Sequence, residues 1–567
     1  METIRCIRIA SKACLDRTLT ISGKWLSELL TSIDRDGFER QRGDGGQKMN
    51  ENRPKWMELE KQEENNEDIL DLMLLVRSYM ETNQYACACD AIEKRPEWRE
   101  APERFSKKLT FIRAYAKYKI GEKQKEQELL ETTDPVERCG AKNRELRPLC
   151  EHLGTLHKAG ALDAFGLYVY GVVLKELGSK DRAKDILIAS VDACPFIWSA
   201  WVDLAALCPD ADALNSLKVT DHWMSDFFRL HALLELQQND EAWKLCESLR
   251  DRFGESAHLQ TQMALVHYNM RHFDEAQDLF EDLAEKYPHR LDCMDTYSNI
   301  LYVKENRAEL SRLAHRSVRN NKYRPETCCI IGNYYSLKGD HRKAVVYFKR
   351  ALRLNRHFLS AWTLMGHEYV ELKQTEAAIE AYRQAVDINP HDYRAWYGLG
   401  QTYEIHRMYF YALYYYRKAC VLRPYDARMW CALGGCYECL EKFDEAEKCY
   451  ERAIANKDME DIALIRLARL RRKRGEIKGA AELYEEHLKH QNHEISADHP
   501  AELPTEETIE ALTFLAEHYK NLGALDRAEA CCMKLLDFVG SSSQKNGEAM
   551  AILREIRSLR TTSRGTG

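Results

Sequence analysis

Residues 359–392 read LSAWTLMGHEYVELKQTEAAIEAYRQAVDINPHD, and residues 393–426 read YRAWYGLGQTYEIHRMYFYALYYYRKACVLRPYD. Laid one under the other, these two stretches of 34 residues place Trp362 over Trp396, Gly366 over Gly400, Tyr369 over Tyr403, Ala378 over Ala412 and Pro390 over Pro424. Working outward, the glycine recurs at Gly332 and Gly434, the tryptophan at Trp430, the tyrosine at Tyr335 and Tyr437, and the alanine at Ala344 and Ala446. Within one stretch, Trp362, Met365, Gly366 and Tyr369 fall at i, i+3, i+4 and i+7, one face of a helix. Ala378, Tyr382 and Ala385 make a second such face. Gly366 and Ala378 lack bulk, so two backbones can approach, and Trp362 and Tyr382 fill the space around them. Pro390 cannot continue a helix and marks the stop.

A fixed 34-residue period of paired helices with these small and aromatic marks is the signature of a tetratricopeptide array. The predicted fold is all-α, a tetratricopeptide repeat superhelical solenoid, because one helix pair cannot bury its apolar face alone and must stack on its neighbours. Eight units stay in phase over 223–494, and 291–324 is the degenerate one, keeping Ser298 for the glycine and Leu310 for the alanine. Weaker marks place N-terminal repeats over 69–222 and a last repeat over 509–542. The remainder reads as an N-terminal helical segment (1–37), a flexible linker (38–68), an insertion loop (495–508) and a C-terminal tail (543–567).

Such arrays bind proteins and rarely do chemistry. The chain has 567 residues, 31% of them charged, with a formal net charge of −7, so there is no global pull toward nucleic acid. No run of 18 apolar residues occurs, and Arg5, Arg8 and Lys12 interrupt the N-terminus, so neither a membrane span nor a secretory signal is expected. The 19 cysteines fall at small-residue helix positions such as Cys328, Cys329, Cys420, Cys431 and Cys449 and read as reduced core packing. Cys436 with Cys439, and Cys87 with Cys89, have no second pair at zinc spacing, so no metal or other cofactor is expected. His487, His490, His493 and His499 read as a solvated linker rather than a metal site. The run Arg469, Arg471, Arg472, Lys473, Arg474 is read as a solvated helix end, with an import signal or a patch for an acidic partner as alternatives. Tyr409–Tyr411 and Tyr414–Tyr416 read as repeat core plus an inter-subunit face, not a base-stacking platform. GLGQ at 398–401 lies inside a repeat helix with no preceding strand, and no GxSxG, Walker or HExxH motif is present, so no catalytic residue is assigned and the chain is not read as an enzyme.

The candidate site is the inner groove. The residue after the glycine position is expected to face inward, and that column reads Asn299, Asn333, His367 and Gln401. All four can hydrogen-bond an extended peptide. Glu368, Glu371, Glu404 and Glu438 bring negative charge to the same helices, which would suit an arginine-bearing peptide. The plainer reading of these acids is solvated helix surface. A chaperone-tail clamp would need lysines at inward positions, where Asp295, Cys329, Thr363, Tyr397 and Cys431 stand instead.

Several segments are more specific than a generic repeat. ETCCIIGNYYSLKGDHRKAVVYFKRAL, AWTLMGHEYVELKQTEAAIEAYRQAV and DYRAWYGLGQTYEIHRMYFYALYYYRKA closely resemble the family of the eighth subunit of the anaphase-promoting complex, or cyclosome (the cell division cycle 23 homologs). FGLYVYGVVLKELG, MDTYSNILYVKENRAELSRLAH and SGKWLSELL are also similar to it. The resemblance spans residues 10–540 and is weaker over 31–68; the family's proline- and serine-rich C-terminal extension is here a stub ending at Gly567. It implies a non-catalytic scaffold of a cell-cycle ubiquitin ligase, present in nucleus and cytoplasm. It further implies a homodimer joined through N-terminal repeats, contacts with other tetratricopeptide subunits, and a small extended subunit running along the repeats as a staple. The C-terminal repeats would hold the arginine-containing C-box of a coactivator, through GNYYS and GHEY, which map onto Asn333 and Glu368. No nucleic-acid or membrane partner is expected. The alternative is a tetratricopeptide adaptor or co-chaperone binding another peptide.

Overall fold

The computed structural model describes residues 2–32, 67–95, 98, 106–131, 142–220, 222–456, 461–494, 506–538 and 550–556. Of the linker read over 38–68 and the loop read over 495–508, residues 38–66 and 495–505 lie outside the described residues, as do most of the tail, the His493 side chain and His499, while 67–68 and 506–508 already belong to the helices Glu67–Glu81 and Glu506–Asn521. Among the described residues all regular structure is helical. The chain divides into two compact units, Met1–Lys304 and Glu305–Gly567, a different cut from the 222/223 boundary read from repeat strength.

In the second unit, antiparallel helix pairs follow one another: Pro325–Leu337 with His341–Leu354, Leu359–Glu371 with Thr375–Ile388, Tyr393–Ile405 with Tyr409–Leu422, and Ala427–Cys439 with Phe443–Ala455. The repeated glycines are required by close approach. A Cβ built on Gly366 would lie 2.5 Å from the Tyr382 ring, and those on Gly332, Gly400 and Gly434 would lie 2.4–2.6 Å from Phe348, Tyr416 and Tyr450. Those four rings are fully buried and form the spine of the unit's core. The tryptophans and prolines also have a joint role. Trp362, Trp396 and Trp430 each donate an indole N–H over 2.8 Å to the carbonyl six residues earlier, on Arg356, Pro390 and Pro424. Each bond ties the connecting loop to the helix that follows it.

A further periodic feature is visible only in the backbone. Gln237, Arg271, Glu305, Gly339, Lys373, Arg407, Glu441 and Gly475 all have positive φ, and successive members are 34 residues apart. This is the residue at which each helix pair reverses, and only two of the eight are glycine, so no letter in the sequence marks it.

The first unit contains an element the repeat pattern does not foresee. Residues 2–32 form a helical hairpin, Glu2–Asp16 with Thr20–Ser32, that packs along the unit. Trp25 stacks on Trp198 with centroids 4.7 Å apart and meets Phe227 edge-on at 5.3 Å. Arg17 lies 4.1 Å over the Phe165 ring and pairs with Asp163 at 3.3 Å. Lys24 reaches Asp292 at 2.6 Å, and Glu28 receives Arg290 at 3.0 Å. The segment 119–163, which carries no repeat marks, folds as the end of helix Lys107–Glu131 followed by Leu146–Lys158, with Asn143 bonded to the Tyr118 carbonyl and to Glu122.

Candidate peptide groove

The second unit carries all the groove residues read from the sequence except Asn299, which is half-buried in the first unit. Asn333 is buried one residue after Gly332. His367, one residue after Gly366, is fixed by the core: its Nδ1 stands 2.9 Å from the Tyr382 hydroxyl. Burial, with Arg394 nearby, lowers the imidazole to about 4, so the ring is neutral at pH 7. Burial pushes the Tyr382 hydroxyl up, with Glu368 and Glu371 adding to it. Both groups are therefore neutral at pH 7, and one hydrogen bond joins the Tyr382 hydroxyl to Nδ1. Gln401 is half-buried, and its side chain makes no hydrogen bond among the described residues. At the next position of the column stands Gly435. A Cβ there would lie 2.8 Å from Arg466 Nη1, so the guanidinium occupies the space a side chain would take.

The four acids fall into three situations. Glu368 is buried, its Oε1 accepting from Ser336 Oγ at 2.6 Å and its Oε2 meeting His341 Nδ1 at 2.9 Å. Both oxygens are spent on the preceding helix pair, which makes Glu368 a strut between repeats. Glu404 and Glu438 are half-buried and each accepts from the tyrosine of its own hairpin, Tyr416 at 2.6 Å and Tyr450 at 3.2 Å; Glu438 also receives Lys473. Glu371 alone is exposed and makes no ion pair among the described residues. The second set of positions, read as inward, is mostly covered: Asp295, Cys329, Thr363 and Cys431 are buried, and only Tyr397 is partly open.

Sequence reasoning missed two cations here. Arg466 sits among Tyr450, Cys431 and Glu404, and Arg428 lies beside Tyr393 and Tyr397, paired with Asp426 at 3.3 Å. The sequence signal for Arg466 is the doublet Gly434–Gly435, whose second member the 34-residue period does not explain. The candidate lining is therefore mixed in charge: Arg466 has Glu404 near it, Arg428 pairs with Asp426, and Glu371 makes no ion pair among the described residues.

Other expected features take definite places. Arg469 pairs with Glu510 at 2.6 Å, Arg471 with Glu447 at 3.0 Å, and Lys473 and Arg474 with Glu438 and Asp444, so the basic run is neutralised within the unit. His487 is buried, and His487 and His490 both meet Asp461, at 3.1 and 3.0 Å. Cys436 is buried while Cys439 is exposed, and Cys89 is buried while Cys87 is exposed, so neither pair presents two thiols to one site. Among the described residues no three His, Cys, Asp or Glu side chains cluster as a metal site would require, and no helix is long and apolar enough to cross a membrane.

Comparisons with known proteins agree with this architecture. The family described as Anaphase promoting complex subunit 8 / Cdc23 matches residues 2–264, and tetratricopeptide repeat descriptions match 325–358 and 366–404. The chain is 44% identical to anaphase-promoting complex subunit 8 of Arabidopsis thaliana over 98% of its length and 96% of the relative's. It is 50% identical to the subunit of that name from Dictyostelium discoideum over 70% of this chain and 66% of that one. A solved structure, the APC/C hetero-tetramer Cut9–Hcn1, superposes with a TM-score of 0.51 at 17% identity, covering 87% of this chain and 96% of the other; it shares the fold.

Proposed function

This chain belongs to the anaphase-promoting complex subunit 8/Cdc23 family, and from that premise we propose that it is a non-catalytic scaffold of the complex that docks a coactivator segment on its C-terminal repeats. In this reading it acts as a homodimer through residues 69–222, works in nucleus and cytoplasm beside other tetratricopeptide subunits and an extended stapling subunit, and supports ubiquitination of mitotic substrates. The observation that supports docking most directly is Gln401. It is a half-buried amide whose side chain has no partner among the described residues, three residues before Glu404 on the same helix. An extended peptide offers backbone donors and acceptors to that amide, and an arginine on it offers a guanidinium to Glu371 and Glu404.

Fluorescence polarisation of a C-box-like arginine peptide on the full chain tests this. Gln401→Ala combined with Glu371→Lys should weaken binding at least tenfold, and unchanged affinity removes the groove from the account. Glu368 is unsuitable for the experiment, because its substitution would break the strut to Ser336 and His341. Tighter binding of a peptide ending in acidic residues would favour a co-chaperone adaptor instead. Light scattering on the full chain at micromolar concentration should return twice the 66.0 kDa chain mass; a monomer overturns the dimer.

A further inference from the structure

Residues 34 apart take the same place in successive helix pairs, so each outward position can be compared with its own counterparts. On the helix Tyr409–Leu422, the inward side is filled by Ala412, Tyr416, Ala419 and Cys420, all buried. The outward side carries Phe410, Tyr411, Tyr414 and Val421, followed by Tyr425, which are 74, 61, 53, 78 and 83% exposed. In the flanking pairs the counterparts of Phe410 are Glu376 and Asp444, those of Tyr414 are Glu380 and Lys448, and those of Val421 are Asp387 and Ala455, all exposed. Both flanking pairs thus carry mainly charged residues where this hairpin presents an aromatic and aliphatic stripe; one pair further back only Val346, the counterpart of Tyr414, is apolar and exposed at these three positions. Tyr411 stacks on Tyr403 and Tyr414 meets Tyr415 edge-on, yet more than half of each stays exposed, and Phe410, Val421 and Tyr425 are more exposed still.

On the segment that carries the stripe the charges are one-sided. Residues 406–425 contain no Asp or Glu. Arg383, Arg407, Arg417 and Lys418 are exposed or nearly so, and none has a carboxylate within ion-pair distance among the described residues. Arg383 and Arg417 hydrogen-bond only phenol oxygens, of Tyr403 and Tyr437, and Lys418 stands 6.0 Å over the Tyr414 ring. The basic run at 469–474 shows the contrast, since its cations are met by Glu510, Glu447, Glu438 and Asp444.

We propose that this stripe is a docking surface for an amphipathic helix of another subunit, one whose apolar face is edged by carboxylates. The apolar residues supply area to bury, and the four unmatched cations select acids at the rim and set the register. A second copy of the stripe would bring like charges together, which disfavours self-pairing. Glu376, Glu380 and Glu445 on the adjacent helices would repel a phosphate backbone, which disfavours RNA. They also confine an acidic partner to the width of one helix. The surface is separate from the groove residues, and the proposal rests on the assembly reading above for where its partner is found.

The test places a photo-crosslinking phenylalanine derivative at position 414 of the full chain, assembled with the other subunits of the complex, and identifies the adduct by mass spectrometry. The same derivative at position 401 serves as the groove control. The expected adduct is a single helical segment with an apolar stripe bordered by Asp or Glu. The double substitution Arg407→Glu with Lys418→Glu should lower its yield at least tenfold without changing the melting temperature. An adduct to RNA, to a second copy of this chain or to a segment without carboxylates overturns the proposal, as does an assembled complex with no adduct at 414. Failure of the chain to assemble at all overturns both this proposal and the assembly reading.

Discussion

Lys373 and Gly366 lie seven residues apart and illustrate opposite constraints. Lys373 has φ of 59°, a region an L-residue enters at a cost of about 1–2 kcal/mol. Lys373→Gly should therefore leave stability unchanged or raised, whereas Lys373→Val, β-branched at positive φ, should lower it by about 1 kcal/mol in urea denaturation. Gly366 has ordinary helical geometry, and its constraint is the Tyr382 ring 2.5 Å from where a Cβ would lie. Alanine gains about 1 kcal/mol in helix propensity there but must displace a fully buried ring, and overpacking costs about 1–3 kcal/mol. The expected net result for Gly366→Ala is a loss of about 1 kcal/mol, and a gain would show that the ring can yield. The glycine period was readable in the sequence because every unit spells it with one letter. The positive-φ period was not, because Gln, Arg, Glu and Lys all occupy it.

At the scale of the element, helix pairs were legible and their partners in space were not. The hairpin Glu2–Ser32 carries no repeat marks, yet Trp25 is buried against Trp198 and Phe227. Trp25→Ala removes that stack, and large-to-small changes of a buried aromatic cost about 3–5 kcal/mol. The variant should release residues 2–32 to proteolysis while circular dichroism retains the repeat helices; an equally resistant hairpin would show that the ion pairs to Asp163 and Asp292 suffice. The groove acids behave similarly. Period placed Glu368, Glu404 and Glu438 on first helices, but Ser336, Tyr416 and Tyr450 decide that their oxygens are already engaged.

Across the whole molecule, each unit holds a histidine kept neutral by its surroundings. Burial, with Arg290 and His231 near, lowers His258 in the first unit to about 3, and His367 in the second is lowered to about 4. Both native values lie below the unfolded value of about 6.5, so protons bind the unfolded chain first. Stability from both sites is complete above pH 6.5 and drains away as pH falls toward 4 and then 3. The urea midpoint should be lower at pH 5 than at pH 7.5, and the combined His258→Gln, His367→Gln variant should show a shallower fall. A midpoint independent of pH over that range would refute the assignment.

The sequence by itself determined the helix pairs, their stacking order and the family, because the packing that holds them is local and recurs every 34 residues with the same letters. Only the tertiary structure decided which polar side chains remain open to a ligand, that Arg466 fills the space beside Gly435, and that the N-terminal hairpin reaches Asp292 across 268 residues. Those outcomes depend on which donors and acceptors meet once the hairpins are stacked, and a hydrogen bond between residues distant in the chain leaves no period to read.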